Sequence, residues 1–228
     1  MNTSLGVLRF EPPKKDHWNT LETRYDQEAK SWDKKLRRLG FCEGYRTLLA
    51  REKISVSKDR PIRIQDQGIG TGEASLALVE SLFEQGVKNV DMIGVDISNE
   101  MLAYAQQKFE QRTIPFRGVK GNIESLPFQD GSIDIIISSH VLEHTQRPLK
   151  VLSESERVLA PDGTLILMMT RCNPITISIQ KEWFVQCARS RKLSAVLKDF
   201  GLRDLRWPAY PSSPICNWLS FCCIARRG

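Results

Sequence analysis

The chain has 228 residues, 41% hydrophobic and 26% charged, with 14 Gly and 11 Pro. That suffices for one α/β domain with appendages and excludes a collagen-like, low-complexity or wholly disordered chain. Thirty-three Lys and Arg against 27 Asp and Glu leave +6, which fits a polyanionic partner or a basic surface.

No run of about 18 apolar residues supplies a transmembrane helix. The opening MNTSLGVLRFEPPKKD has no apolar stretch and does not read as a secretory signal, so a cytoplasmic protein is expected. Six cysteines stand at Cys42, Cys172, Cys187, Cys216, Cys222 and Cys223, none spaced CxxC, and His17, His140 and His144 are the only histidines. Six free thiols and no metal site are the expectation.

Residues 1–60 differ in texture from the rest and are read as a helical cap over a domain at 61–228. Between Lys14 and Lys58 charge is dense, with Trp18, Tyr25, Trp32, Phe41 and Tyr45 interleaved. The spacing of Tyr25, Ala29, Trp32, Leu36 and Leu39 predicts an amphipathic helix, and a second short helix is expected over Tyr45–Glu52. From residue 61 onward strands and helices alternate. Strand Ile62–Gln67 leads into helix Gly72–Gln85, and strand Val90–Ile97 into helix Asn99–Arg112, with Ser98 as its N-cap. Strands are expected at Phe116–Lys120, Ile133–Ser139 and Thr164–Thr170, with a helix at Leu149–Leu159 and a turn at Ala160–Gly163. Helix Ser190–Phe200 stops at Gly201. Strands Leu202–Trp207 and Asn217–Arg226, joined by Pro208–Pro214, then close the chain with no helix between them. This order predicts a Rossmann-like, mostly parallel sheet with an antiparallel last strand.

Chemistry concentrates where the first strand meets its helix, at Asp66-Gln67-Gly68-Ile69-Gly70-Thr71-Gly72. Glycines there let the backbone turn tightly and let a ligand approach it, while the helix start offers unpaired N–H groups. A dinucleotide fingerprint needs a glycine at position 73, where Glu73 stands, so the GxGxG spacing counts against NAD or FAD. Asp96 ends the second strand, where a carboxylate accepts hydrogen bonds from ribose hydroxyls. Gly121-Asn122-Ile123 follows the third strand: Asn122 is placed for an adenine edge and Ile123 for a ring face. Ser139-His140-Val141-Leu142-Glu143-His144 follows the fourth.

These segments together resemble class I S-adenosylmethionine-dependent methyltransferases, specifically the small-molecule branch typified by ubiquinone/menaquinone-type enzymes (methyltransferase type 11). The resemblance spans about residues 62–170 and implies a seven-stranded sheet with S-adenosylmethionine as cofactor. It puts Asp66, Gly68, Gly70, Thr71 and Gly72 along the cofactor's methionine part, Asp96 on its ribose, and Ile97 and Met101 beside its adenosine. Asn122 and Ile123 stand where the family usually has Asp-Ala; Ser139 joins the cofactor set, and Tyr25 is its candidate from the cap. Arg24 and Arg46 both remain open as partners of the methionine carboxylate. The resemblance also puts His144 beside the transferred methyl as candidate base, with Glu143 behind it, and His140 and Trp183 near the acceptor. The Ile175–Cys187 segment favours an apolar or aromatic small-molecule acceptor. Nucleic-acid substrates are disfavoured, because neither an Asp/Asn-Pro-Pro-Tyr/Phe segment nor a Pro-Cys nucleophile follows the fourth strand. Two competing readings are an RNA or protein methyltransferase, from the Lys34-Lys35-x-Arg37-Arg38 cluster, and a non-catalytic cofactor-binding partner protein.

Overall fold

The computed structural model describes residues 17–57, 59–177 and 189–228. Helices α1 (His17–Arg38) and α2 (Phe41–Arg51) precede a β/α alternation: β1 (Ile62–Gln67), α3 (Glu73–Glu84), β2 (Val90–Asp96), α4 (Asn99–Glu110), β3 (Phe116–Lys120) and β4 (Ile133–Ser139). A 3-10 turn at Leu142–His144 leads to α5 (Pro148–Val158), β5 (Leu159–Thr170), α6 (Ser190–Asp199), β6 (Leu202–Arg206), α7 (Pro214–Leu219) and β7 (Ser220–Arg227). The strands form one sheet in the order β3-β2-β1-β4-β5-β7-β6. Strands β1 to β5 pair in parallel, as in Ile62↔Val90 and Ile64↔Ile135, while β7 runs antiparallel to both β5 and β6.

Both faces of the sheet are covered, which is why its strands read as nearly continuous apolar runs. Along β5, Ile166 and Met168 join the core beneath α2 and α3, whereas Leu165, Leu167 and Met169 join the core beneath α5 and α6. Each fully buried aliphatic side chain contributes about 1.5–3 kcal/mol. Ser98 caps α4 as expected, its hydroxyl accepting from the Met101 N–H at 3.0 Å.

Three expectations change. Ala160–Gly163 is not a turn ahead of a strand but a bulge inside β5. Ile133 pairs with Leu159 and Ile135 with Thr164, and Asp162 takes φ +60 to absorb the extra residues. The last two strands do have a helix between them, because Ser213 caps α7 through the Cys216 N–H and Pro214 opens it. Cys172 is disulfide-bonded rather than a free thiol, while Cys42, Cys216, Cys222 and Cys223 are free. No helix among the described residues is long and apolar enough to cross a membrane.

Strand β1 lies between β2 and β4, so the connections leaving β1 and β4 diverge to opposite sides. Open α/β sheets bind ligands in the crevice at such a point.

Candidate functional site

The loop after β1 is built for close approach. Gly68, Gly70 and Gly72 have φ of +77, +53 and +82, a region that side chains with a Cβ rarely adopt. A Cβ on Gly68 would stand 2.4 Å from the Val141 side chain, so the loops leaving β1 and β4 pack here only without one. At Gly72 the neighbour is Phe109 of α4 at 3.0 Å. Gly72 therefore serves helix packing and does not line the cavity, unlike Gly68, Gly70 and Thr71.

Two buried carboxylates back this loop. Asp96 accepts from the Gly70 N–H at 2.8 Å and from the Ser98 N–H at 2.9 Å, bracing the loop against the start of α4. Burial nevertheless lifts its pKa to about 6. With the Ile97 N–H also bonded to it, the carboxylate keeps acceptor capacity for a ligand hydroxyl. Asp66 accepts from the Ser75 hydroxyl at 2.6 Å through one oxygen, while its other oxygen, Oδ1, is buried with no hydrogen-bond partner. Desolvation, with a further push from Asp96, raises its pKa to about 7. An orphaned buried acceptor at the edge of a cavity suits a cationic donor such as an ammonium group.

The cavity holds about 370 Å³, most of its wall apolar. Its floor includes Asp66, Asp96, Ile97, Met101, Asn122, Ile123 and Ser139. Asn122 Oδ1 already accepts from the Glu124 N–H at 2.9 Å, leaving one lone pair for an adenine amine. Ser139 donates to the Tyr45 hydroxyl at 3.0 Å. The roof is α1, which contributes Trp18, Leu21, Tyr25, Trp32 and Leu36. Polar contacts pin this roof to the sheet: Asp26 accepts from the Ser98 hydroxyl at 2.6 Å, Asp33 bonds Thr71 and Lys108, and Glu22 pairs with Lys120 at 2.7 Å.

At the end of β4 the two histidines differ. His144, mostly buried on the 3-10 turn, lies with Nε2 3.3 Å from the Tyr25 hydroxyl and lines the cavity. Burial, then Asp96 and Glu143, raise the Tyr25 pKa, so that phenol stays protonated. His140 has φ +58, and both its ring nitrogens face protein partners: Nδ1 is 3.2 Å from Glu143 and Nε2 is 3.2 Å from the Ser220 hydroxyl. Glu143 also accepts from the Thr170 N–H and hydroxyl, at 3.0 and 2.7 Å, so it positions His140 and β5 rather than hydrogen-bonding His144. Burial opposes its charge, but these bonds prevail and its pKa is lowered.

Of the residues singled out from sequence, Trp183 lies outside the described residues. Arg46 pairs with Glu43 and Glu80, and neither it nor Arg24 lines the cavity; Lys35 does. Sequence reasoning missed Leu21, Asp26 and Asp33. Leu21 was available from the apolar stripe of α1, which runs Trp18, Leu21, Tyr25. The partners of Asp26 and Asp33 are too distant in sequence to be seen.

Residues 65–167 match the family described as a methyltransferase domain. Demethylmenaquinone methyltransferase of Thermus thermophilus is 33% identical over 47% of this chain and 47% of that protein. The ubiquinone/menaquinone biosynthesis C-methyltransferase UbiE of Campylobacter jejuni is 29% identical over 63% of this chain and 60% of its own. The chain thus spans about half the length of these curated relatives. Among solved structures, a SAM-dependent methyltransferase from Thermotoga maritima superposes with a TM-score of 0.68, over 91% of this chain and all of that one. At 15% identity this likeness shows the fold alone.

Proposed function

We propose that this protein binds S-adenosylmethionine and methylates a small apolar molecule carrying an ionisable O–H or C–H, with His144 as the base. The observation that carries the reading is one cavity joining the unpartnered Asp66 oxygen, the Asp96 carboxylate and His144 beneath an aromatic roof. When bound, S-adenosylmethionine supplies a sulfonium methyl, and its transfer is a displacement in line with the departing sulfur.

The residues of this chain fit the parts of that cofactor. Asp66 takes the ammonium, Asp96 the ribose hydroxyls, and Ile97, Met101 and Ile123 the adenine faces. Tyr25 and Trp32, in edge contact at 5.5 Å, both line the cavity and supply aromatic rings that can meet a positive charge there. The roof excludes water, and positioning of this kind is worth about 7–11 kcal/mol of barrier. His144 accepts the acceptor's proton at Nε2, for which Tyr25 must yield its place. The acceptor therefore enters where the Tyr25 hydroxyl now sits, and a phenol or enol matches that hydroxyl in kind. The two curated relatives, named for quinone-pathway methylation, support an apolar aromatic acceptor.

Calorimetry with S-adenosylmethionine and turnover with a hydroquinone-type acceptor test the reading. His144→Ala is expected to cut turnover roughly 10²- to 10⁴-fold while leaving cofactor affinity intact. No binding at millimolar cofactor rejects the cofactor assignment; unchanged turnover in the variant rejects the base.

A further inference from the structure

The cavity opens beside a face that the methyltransferase reading leaves unused. Four large apolar side chains stand about half exposed there: Leu39 at 43%, Ile177 at 54%, Ile215 at 55% and Trp218 at 48%. They come from three separate elements that meet at the cavity's rim. The Cys216 thiol approaches the Leu39 carbonyl at 3.8 Å, the Asn173 side-chain amide donates to the Trp218 carbonyl at 2.8 Å, and the Arg171 N–H donates to the Leu219 carbonyl at 2.8 Å. Leu39, Thr176 and Leu219 also line the cavity, so the exposed apolar surface continues into it. The described segments forming this face carry no charge: no Asp, Glu, Lys or Arg occurs from Pro208 to Ala225, nor from Asn173 to Ile177.

Cations flank it. Lys34, Arg37 and Arg38 are exposed near the end of α1, shortly before Leu39, and none of the three forms an ion pair among the described residues. Arg171, also exposed, stands beside the end of α7, its guanidinium donating to the Ser220 carbonyl at 3.3 Å and lying 5.6 Å from the centre of the Phe221 ring.

We infer that this face docks on the surface of an anionic lipid bilayer. Large apolar side chains beside Lys and Arg match the boundary between acyl chains and acidic headgroups, where a Trp ring is favoured and each basic residue adds attraction. A nucleic acid would use the cations and leave the apolar side chains unexplained. A second copy of the chain meeting this face isologously would bring two sets of the same cations together. Docking does not depend on methyl transfer. What rests on that reading is the consequence that an apolar acceptor passes from the bilayer into the cavity without crossing water.

Vesicle flotation tests the docking apart from the chemistry. The full chain is mixed with phosphatidylcholine vesicles with or without phosphatidylglycerol, at low and at high salt. The expected result is co-flotation with the anionic vesicles at low salt, falling as salt rises. Lys34→Glu combined with Arg38→Glu, and separately Ile177→Ser combined with Trp218→Ser, are each expected to weaken partitioning roughly tenfold or more. Thermal midpoint and S-adenosylmethionine affinity should stay unchanged, since all four side chains are exposed. Absence of co-flotation at low salt overturns the proposal. So does partitioning that survives Ile177→Ser with Trp218→Ser, since charge alone would then account for it. Self-association of the wild type in solution that those variants abolish assigns the face to a second copy instead. Loss of turnover with intact flotation would fault the methyltransferase reading and leave the docking standing.

Discussion

Asp66 shows at the level of one residue how a binding site is held against folding. Its carboxyl is buried, bonded once to Ser75, and lifted to about pH 7 chiefly by desolvation. An acid whose pKa is raised on folding contributes stability that is complete below its unfolded value near 4 and is lost as pH rises through its folded value near 7. Ionised burial here costs at most about 4 kcal/mol at alkaline pH. Asp66→Asn removes that cost while keeping an oxygen for the Ser75 hydroxyl. The variant should unfold at a higher temperature than the wild type without ligand, by a margin that widens between about pH 4 and pH 7.5. It should also bind S-adenosylmethionine more weakly, by about 2 kcal/mol, since the cation's partner is gone. Thermal melts across that range, with calorimetry, check both; a variant less stable at every pH would mean the carboxylate is structural. The importance of this residue was legible in the sequence because it sits in the glycine motif. Its orphaned oxygen was not, since that depends on what the fold leaves out of reach.

Helix α1 raises the same question for an element. Its apolar stripe was readable from the spacing of Tyr25, Ala29, Trp32 and Leu36, as was the β/α alternation from its continuous apolar runs. What could not be read were long-range polar pairings. Gln65 and Gln67 look wrong for a buried strand until α5 places the Ser155 hydroxyl 3.0 Å from Gln67. Likewise Asp26 and Asp33 look like ordinary acids on a solvated face until β2 and β1 bring Ser98 and Thr71 beneath them. The α7 segment was missed because Pro-Ser-Ser-Pro reads as a linker, although the same residues cap and start a helix. Because α1 places no buried side chain in either core cluster beside the sheet and is tied to it by such bonds, each worth about 1 kcal/mol, it should open without the sheet unfolding. Asp26→Ala with Asp33→Ala is expected to raise amide exchange across residues 17–38 by roughly tenfold or more, with exchange in β1 and β4 unaltered. It should also speed cofactor release. A uniform rise over all elements would show instead that α1 is part of one cooperative unit.

Across the whole molecule, the acids fall into two sets with opposite pH behaviour. Glu154, bonded by Arg157, is held at about 2, and Asp134 is held low because Arg60 outweighs its burial. Such groups contribute stability at neutral pH that is lost on acidification through their folded values. Asp66 and Asp96, at about 7 and 6, work in the other direction, losing their contribution as pH rises. The acids that hold the fold together are therefore charged where the acids of the site are still partly protonated. A ligand presenting a cation to Asp66 and hydroxyls to Asp96 favours the charged form of both, so their pKa values fall and protons leave as it binds. Affinity for S-adenosylmethionine should consequently rise by about tenfold between about pH 5.5 and 7.5. Near pH 6.5 the binding enthalpy should vary with the ionisation enthalpy of the buffer, with the sign of net proton release. Asp66→Asn should remove most of that dependence, leaving the smaller part due to Asp96. Binding that is flat across this range and independent of buffer would mean that neither carboxylate meets the ligand, and the cation would have to be sought elsewhere along the cavity wall.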